Sequence, residues 1–194
     1  MTPAITSLKQ YIDLMAGMVA SIQEDTTYFN GIYGLCATHG TSFHGPGEAL
    51  TDEECALLES VTEWSGTGYA VKECFYNAQR LAAADPQGRI LYWEGFATRI
   101  IVTHHAWVTI NGKVIDLTWR LGAAKRNTAH ALFADRNAVG TMPDHAAYIG
   151  VHIDASKALE RMCEHGHCYS YLDDHTNDHL LLQRAEWDDY EAPR

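Results

Sequence analysis

Residues 102–119, with the sequence VTHHAWVTINGKVIDLTW, decide the fold class of this chain. Apolar and polar residues alternate on both sides of Asn111-Gly112, and this dipeptide is the strongest short-range signal for a two-residue hairpin turn. The pattern predicts one strand over 99–110 and a returning strand from Lys113 to Trp119. We therefore expect an antiparallel pair of strands near the middle of the chain.

The turn also predicts which residues of the hairpin share a face. Ile110 is expected to lie opposite Lys113, and side chains alternate between the two faces from there. The apolar face, expected to pack on the core, comprises Ala106, Val108, Ile110, Ile115, Leu117 and Trp119. The opposite, more polar face comprises His105, Trp107, Thr109, Val114, Asp116 and Thr118. A shift of one residue in the register would exchange the two faces.

His105 and Asp116 are predicted to be diagonal neighbours on the polar face. Their α-carbons are expected about 7–8 Å apart, a distance that two side chains can bridge. His104 points to the apolar face in the same register. The pair is either a surface hydrogen bond or, beside a nucleophile, the base and the orienting carboxylate of a catalytic site.

Cys74 is the candidate nucleophile. It follows the break SGTG at 65–68 and lies near the start of a helix predicted over 69–84. The positive end of a helix dipole favours a thiolate, as does a nearby imidazolium, and the first N–H groups of the helix can hold an oxyanion. The alternative is a small buried core residue, which is the expectation for Cys55.

The rest of the chain predicts helices first and strands later. Thr51 and Glu54 form a capping box at the start of a helix. Helices are predicted over 5–22, 51–61 and 155–164, further strands over 89–98 and 148–153, and loops over 26–47 and, with a short helix, over 121–146. This order predicts an α+β fold in a single domain over 1–194. The domain divides into an N-terminal part (1–65), a core (66–153) and a C-terminal part (154–194).

Four segments carry a resemblance to a known family: KECFYNA at 72–78, YWEGF at 92–96, HAW at 105–107 and GKVIDLTW at 112–119. Together they resemble the transglutaminase-like branch of the papain-like cysteine enzymes. In that group a cysteine heads a helix packed on an antiparallel sheet, and a histidine and an aspartate follow on adjacent strands. The resemblance implies that Cys74 is the nucleophile, His105 the general base and acid, and Asp116 the orienting group.

The activity that this resemblance implies is cleavage or transfer of an acyl group at an amide or ester through a thioester, without a metal or other cofactor. The expected substrate is a protein, a peptide or a small amide. Candidates for the oxyanion hole and for substrate contacts are Trp64, Tyr69, Asn77, Glu94 and Trp107. The alternative for Glu94 is an edge-strand charge that deters aggregation. The alternative for the whole protein is a catalytically silent binding or inhibitor module on the same fold.

The composition narrows the expected partners. The formal charge is −11, from 25 acidic and 14 basic residues, and such a surface repels nucleic acid. The acidic residues near the C-terminus are either a solvated surface or a docking patch for a basic protein. No apolar stretch is long enough to predict a membrane span, and the N-terminus does not resemble a signal peptide, so a cytoplasmic protein is expected.

The segment CEHGHC at 163–168 predicts a competing function. Its cysteines and histidines are residue types that bind zinc, although they lie closer together than in most zinc sites. Cys36 and His39 have the spacing of an additional ligand pair. The alternative is a polar helix end with titratable histidines. The five cysteines have no spacing typical of a disulfide framework.

Overall fold

The protein is described by a computed structural model that covers residues 2–64, 69–70, 72–119, 140–173 and 179–193, with the side chains of 63 and 64 left out. The helices are α1 (Pro3–Ala20), α2 (Gly31–His39), α3 (Asp52–Trp64), α4 (Cys74–Ala83) and α5 (Ala155–His165), with 3₁₀ turns at Leu180–Leu182 and Arg184–Trp187. The strands are β1 (Thr41–His44), β2 (Ile90–Thr98), β3 (Val102–Ile110), β4 (Lys113–Ile115) and β5 (Ala147–Ile153). The predicted α+β class is confirmed.

The strands form one antiparallel sheet in the order β1-β5-β2-β3-β4. Helices cover one face of this sheet: α4 contacts β2 and β3, and α1 and α2 contact β5. The side chains between helices and sheet are mostly apolar and include Leu81, Val108, Leu8 and Ile149. The other face carries an aromatic cluster, which we call the aromatic face, with Trp93, Trp107, Tyr148 and Trp119.

The predicted hairpin register is confirmed. Ile110 pairs with Lys113, and Val108 pairs with Ile115. The returning strand is shorter than predicted, because β4 ends at Ile115 and residues 117–119 form a helical turn. Asp116 starts this turn, since its Oδ1 accepts a hydrogen bond of 3.0 Å from the backbone N–H of Trp119, as an N-capping aspartate does.

The early end of β4 moves Trp119 to the other side of the sheet. The residue was expected on the apolar core face, but its ring lies 5.4 Å from that of Tyr148 on the aromatic face. The hairpin face that carries His105 and Trp107 is not a polar surface either, because both side chains are buried. Both faces of the sheet are therefore covered.

Several predicted boundaries are wrong. Residues 26–47 were expected to be loop, but they contain α2 and β1, and β1 forms only through pairing with the distant β5. The helix predicted over 69–84 starts at Cys74, because the chain turns at Lys72, which has a φ of 72°. The strand expected from Arg99 starts at Val102. The predicted loop and short helix over 121–146 lie mostly outside the described residues.

The predicted capping box of α3 is confirmed and also ties the helix to the hairpin. The N–H of Glu54 donates to Oγ1 of Thr51 at 3.2 Å, and the N–H of Thr51 donates to Oε2 of Glu54 at 2.8 Å. The same carboxylate accepts hydrogen bonds from Lys113 at 2.7 Å and Asn111 at 2.8 Å. Helix α3 thereby holds the turn that sets the register of β3 and β4.

Candidate active site

Cys74 is the first residue of α4, and the residue is 9% exposed. The first hydrogen bond of the helix runs from the N–H of Asn77 to the carbonyl of Glu73, at 2.9 Å. The N–H groups of residues 74–76 therefore precede the intrahelical ladder and point out of the positive end of the helix dipole. This position stabilises an oxyanion that forms beside Cys74.

His105 lies on β3 and is held by Asp116. Its Nε2 lies 2.7 Å from Oδ2 of Asp116, and the two residues are 4% and 7% exposed. The β3–β4 pairing ends at Ile115, opposite Val108. Beyond it, the turn that begins at Asp116 lies along the edge of β3, and this brings Asp116 next to His105. The diagonal neighbourhood that the hairpin predicted is confirmed.

Cys74 also reaches the imidazole of His105. The thiol is close enough to this ring to raise the pKa of His105, through hydrogen bonding and charge. Because Nε2 is bound to Asp116, Nδ1 is the ring atom left for the sulfur. The start of α4 comes this close because its Asn77 contacts Thr118, in the turn that follows Asp116. The structure therefore brings together the three residues that the sequence singled out.

The electrostatics of the pair favour the charged forms. Burial lowers the pKa of His105, but the charge and hydrogen bond of Asp116, followed by those of Cys74, outweigh it and raise this pKa to about 10. Burial raises the pKa of Asp116, but His105, the N–H of Trp119 and the hydroxyl of Tyr148 lower it below its usual value. An imidazolium facing a carboxylate is therefore expected at neutral pH.

Two aromatic residues complete the surroundings of His105, and the sequence reasoning missed both roles. The Tyr148 hydroxyl donates to Oδ2 of Asp116 at 3.1 Å. The indole of Trp119 stacks on the imidazole with a centroid distance of 4.7 Å and an angle of 18° between the planes, and the guanidinium of Arg99 lies 5.1 Å from the centre of the Trp119 ring. No local signal pointed to Tyr148, because β5 joins the sheet through β2.

Asn77, a predicted substrate-binding residue, makes structural contacts in this fold. Its Nδ2 donates to the Ala70 carbonyl at 2.7 Å and to Oγ1 of Thr118 at 2.8 Å, and its Oδ1 accepts from the Ala70 N–H at 2.9 Å. An amide with these three bonds, on a residue 1% exposed, has no group left for an oxyanion. Asn77 instead fixes the start of α4 against the turn beside Asp116.

Glu94 is neither an edge-strand charge nor a surface residue. Strand β2 lies between β5 and β3, and Glu94 is 0% exposed. Its carboxylate accepts hydrogen bonds from the hydroxyls of Tyr92 and Ser170 and from the N–H groups of Tyr171 and Leu172. This carboxylate anchors the segment after α5 to the sheet, and a contact of Glu94 with a substrate stays a prediction.

The three other candidate substrate contacts have different outcomes. Trp107 is 1% exposed and packs with Phe43 and Tyr148 inside the aromatic face, and its substrate contact stays a prediction. Tyr69 is also buried, at 4% exposure, with the guanidinium of Arg80 6.0 Å from its ring centre. The side chain of Trp64, the last residue of α3, lies outside the described residues.

The proposed zinc ligands do not converge in the part of the chain that the structure describes. No group of three His, Cys, Asp or Glu side chains there is arranged to hold a metal ion. Cys163 is exposed, Cys168 is half-buried, and the ring of His167 packs on Tyr169 at 3.8 Å between centroids. Cys36 lies apart from them in the core, where burial raises the pKa of its thiol.

Comparison of the chain with models of protein families, with curated proteins and with solved structures gives no match. Among the described residues, no helix is both long and apolar enough to cross a membrane.

Proposed function

We propose that the protein is a thiol-dependent enzyme that cleaves or transfers an acyl group at an amide or ester, with Cys74, His105 and Asp116 as its catalytic triad. The observation that carries this proposal is the position of the His105 ring, which is hydrogen-bonded to Asp116 and lies close enough to Cys74, at a helix start, for the thiol to raise its pKa. A His-Asp ion pair that only stabilises the fold does not need a thiol beside the histidine. A catalytic Cys-His pair needs one, because the thiolate is the nucleophile.

In the acylation half of the proposed reaction, the Sγ thiolate of Cys74 attacks the substrate carbonyl carbon and forms a tetrahedral intermediate. The carbonyl oxygen takes up the negative charge and is stabilised by the N–H groups of residues 74–76 at the start of α4. The imidazolium of His105 then donates its proton to the leaving amine or alcohol. The C–N or C–O bond breaks, and a thioester on Cys74 and a neutral imidazole are left.

In the second half, His105 accepts a proton from water or from an amine, which attacks the thioester carbonyl. The C–S bond breaks, the acyl group leaves as an acid or a new amide, and the thiolate and imidazolium are restored. Asp116 holds the ring in one orientation and stabilises its charged form in both halves. Water is the favoured acceptor, because the sequence shows no feature for a second substrate.

The finer fold assignment, a transglutaminase-like member of the papain-like enzymes, is part of the same proposal. It is supported by a cysteine at the first position of a helix that packs on an antiparallel sheet. It is further supported by the order of Cys74, His105 and Asp116 along the chain, with His105 on β3 and Asp116 directly after β4.

Trapping of the nucleophile tests the proposal. An acylating or alkylating probe is added near neutral pH, and mass spectrometry measures the modification rate of each cysteine. We expect Cys74 to react about tenfold or more faster than Cys36, whose thiol pKa is raised by burial. His105→Ala should slow Cys74 to the rate of an ordinary thiol, and Cys74→Ala should abolish the adduct.

Cys163→Ala is the matched control, because this exposed thiol lies outside the site. Its removal should leave the rate at Cys74 unchanged. If Cys74 reacts no faster than Cys36, the enzyme proposal is wrong. A catalytically silent module on the same fold would then account better for the chain.

A further inference from the structure

A cavity of about 620 Å³ lies on the helix-covered face of the sheet, between α1, α2 and the segments around Asp173 and Leu182. We call it the His104 cavity. Its walls are mostly apolar and aromatic, with Val19, Phe29, Ile32, Tyr33, Phe96 and Leu182 among them. This volume and this lining are typical of sites for small organic ligands. Cys74, His105 and Asp116 do not line it, so it is distinct from the proposed catalytic site.

The charged side chains that line the His104 cavity are acidic. Asp25 and Asp173 contribute two carboxylates, whereas no lysine or arginine lines the cavity in the described part of the chain. His104 and His179 are its two titratable bases. Burial, which lowers the pKa of His104 below its ordinary value, keeps that ring neutral near pH 7. Both carboxylates are exposed, so they would attract a positive ligand from the open side of the cavity.

His104 also carries a buried polar atom that needs a partner. Its Nε2 is buried and has no hydrogen-bond partner among the described residues. The ring is held from two sides by Phe75, at 5.1 Å between centroids, and by Phe96, at 5.6 Å. A buried imidazole nitrogen without a partner is costly, and a ligand group that forms a hydrogen bond with it would remove that cost.

We propose that the His104 cavity binds an organic cation, namely an ammonium group carried on an apolar or aromatic body. The body would pack among Phe29, Tyr33 and Phe96, and the ammonium group would lie towards Asp173 and His104. The proposal does not depend on acyl chemistry. The site is nevertheless close to the triad, because His104 precedes His105 and its contact residue Phe75 follows Cys74.

Titration calorimetry with three matched probes tests the proposal: phenethylamine as the cation, 2-phenylethanol as the neutral analogue and 3-phenylpropionate as the anion. The wild-type protein should bind phenethylamine at one site, and the two analogues about tenfold or more weakly. Cys74→Ala should bind phenethylamine as the wild type does, which separates this site from the proposed enzyme function. Equal binding of the neutral analogue, or no binding of any probe at millimolar concentration, would overturn the proposal.

Two pairs of variants locate the site. Asp173→Asn should weaken phenethylamine about tenfold, whereas Asp189→Asn, at an exposed acid outside the cavity, should have no effect. Val19→Trp should block the cavity to phenethylamine, and Leu14→Trp, on the exposed side of the same helix at 62% exposure, should not. Unchanged binding in Asp173→Asn would show that the cation does not bind here.

Discussion

The hydroxyl of Tyr148 donates a hydrogen bond of 3.1 Å to Oδ2 of Asp116, the same oxygen that lies 2.7 Å from Nε2 of His105. The other oxygen, Oδ1, accepts from the N–H of Trp119 at 3.0 Å. A buried carboxylate with three donors is stabilised in its charged form, which agrees with the lowered pKa of Asp116. Tyr148 thus links β5 to the proposed triad.

We expect Tyr148→Phe to destabilise the protein by about 1–2 kcal/mol, because it removes one donor from a buried carboxylate. It should also raise the pKa of Asp116, so that acid unfolding begins at a higher pH. Acid titration followed by circular dichroism measures the shift. Tyr190→Phe is the matched control, since the Tyr190 hydroxyl binds the N–H of His152 at 2.8 Å, away from Asp116. An equal acid shift in both variants would contradict a specific effect on Asp116.

Asp116→Asn should lower the pKa of His105, because the carboxylate is the main cause that raises it against the effect of burial. The imidazole would then be neutral near pH 7, and Cys74 would lose the positive charge that favours its thiolate. NMR titration of the imidazole measures the pKa, and the alkylation rate of Cys74 should fall about tenfold or more. A variant that still titrates near pH 10 would show that Asp116 does not set this pKa.

The raised pKa of His105 also predicts how stability depends on pH. The folded state binds the proton of His105 more tightly than the unfolded state does. The resulting contribution to the free energy of unfolding is fully present below the ordinary pKa of 6.5 and is lost as the pH rises towards about 10. Urea unfolding at several pH values should show this alkaline loss in the wild type. His105→Gln should remove the loss from this window. If both proteins lose stability alike, other groups cause it.

Glu54→Gln should destabilise the protein by about 1–2 kcal/mol, because it weakens a helix cap and the ion pair with Lys113. Burial raises the pKa of Glu54, but Lys113, Asn111 and the N–H of Thr51 outweigh it and lower the pKa to about 2. Its contribution is therefore present above its ordinary pKa of 4.5 and is lost as the pH falls towards 2. The free energy of unfolding, measured with urea, should differ less between pH 7 and pH 3 in the variant than in the wild type. Glu53→Gln, an exposed change in the same turn, should keep the wild-type difference.

Glu94→Gln should release the segment after α5. The amide has one acceptor oxygen in place of two, so donors among Tyr92, Ser170, Tyr171 and Leu172 lose their partner inside the protein. We expect the free energy of unfolding to fall by about 2–4 kcal/mol. Hydrogen exchange at the amides of Tyr171 and Leu172 should become faster. Glu160→Gln, exposed on α5, should change neither. Unchanged exchange in Glu94→Gln would show that other contacts hold this segment.

The parts of the fold that depend on neighbouring residues could be predicted from the sequence. The register of β3 and β4 follows from Asn111-Gly112, and the pairing of His105 with Asp116 follows from that register. The capping box of α3 is equally local. These features need only a turn type, an alternation or a spacing of three residues.

The parts that depend on distant residues could not be predicted. Strand β1 exists because β5 pairs with it, and Glu94 is internal because β5 also pairs with β2. A single strand pattern does not reveal its neighbours, so an internal carboxylate resembles an edge charge. The same reason hid the contact of Tyr148 with Asp116, which joins residues 32 positions apart in the chain.

Trp119 stacks on His105 at 4.7 Å between ring centres. The fluorescence of Trp119 should therefore depend on whether His105 is protonated. A protonated imidazole quenches the fluorescence of an indole that it touches, whereas a neutral one quenches it much less. The emission that Trp119→Phe removes should therefore brighten as His105 loses its proton. The charge of one buried ring could then be followed in real time, without a label, while a candidate substrate is mixed in.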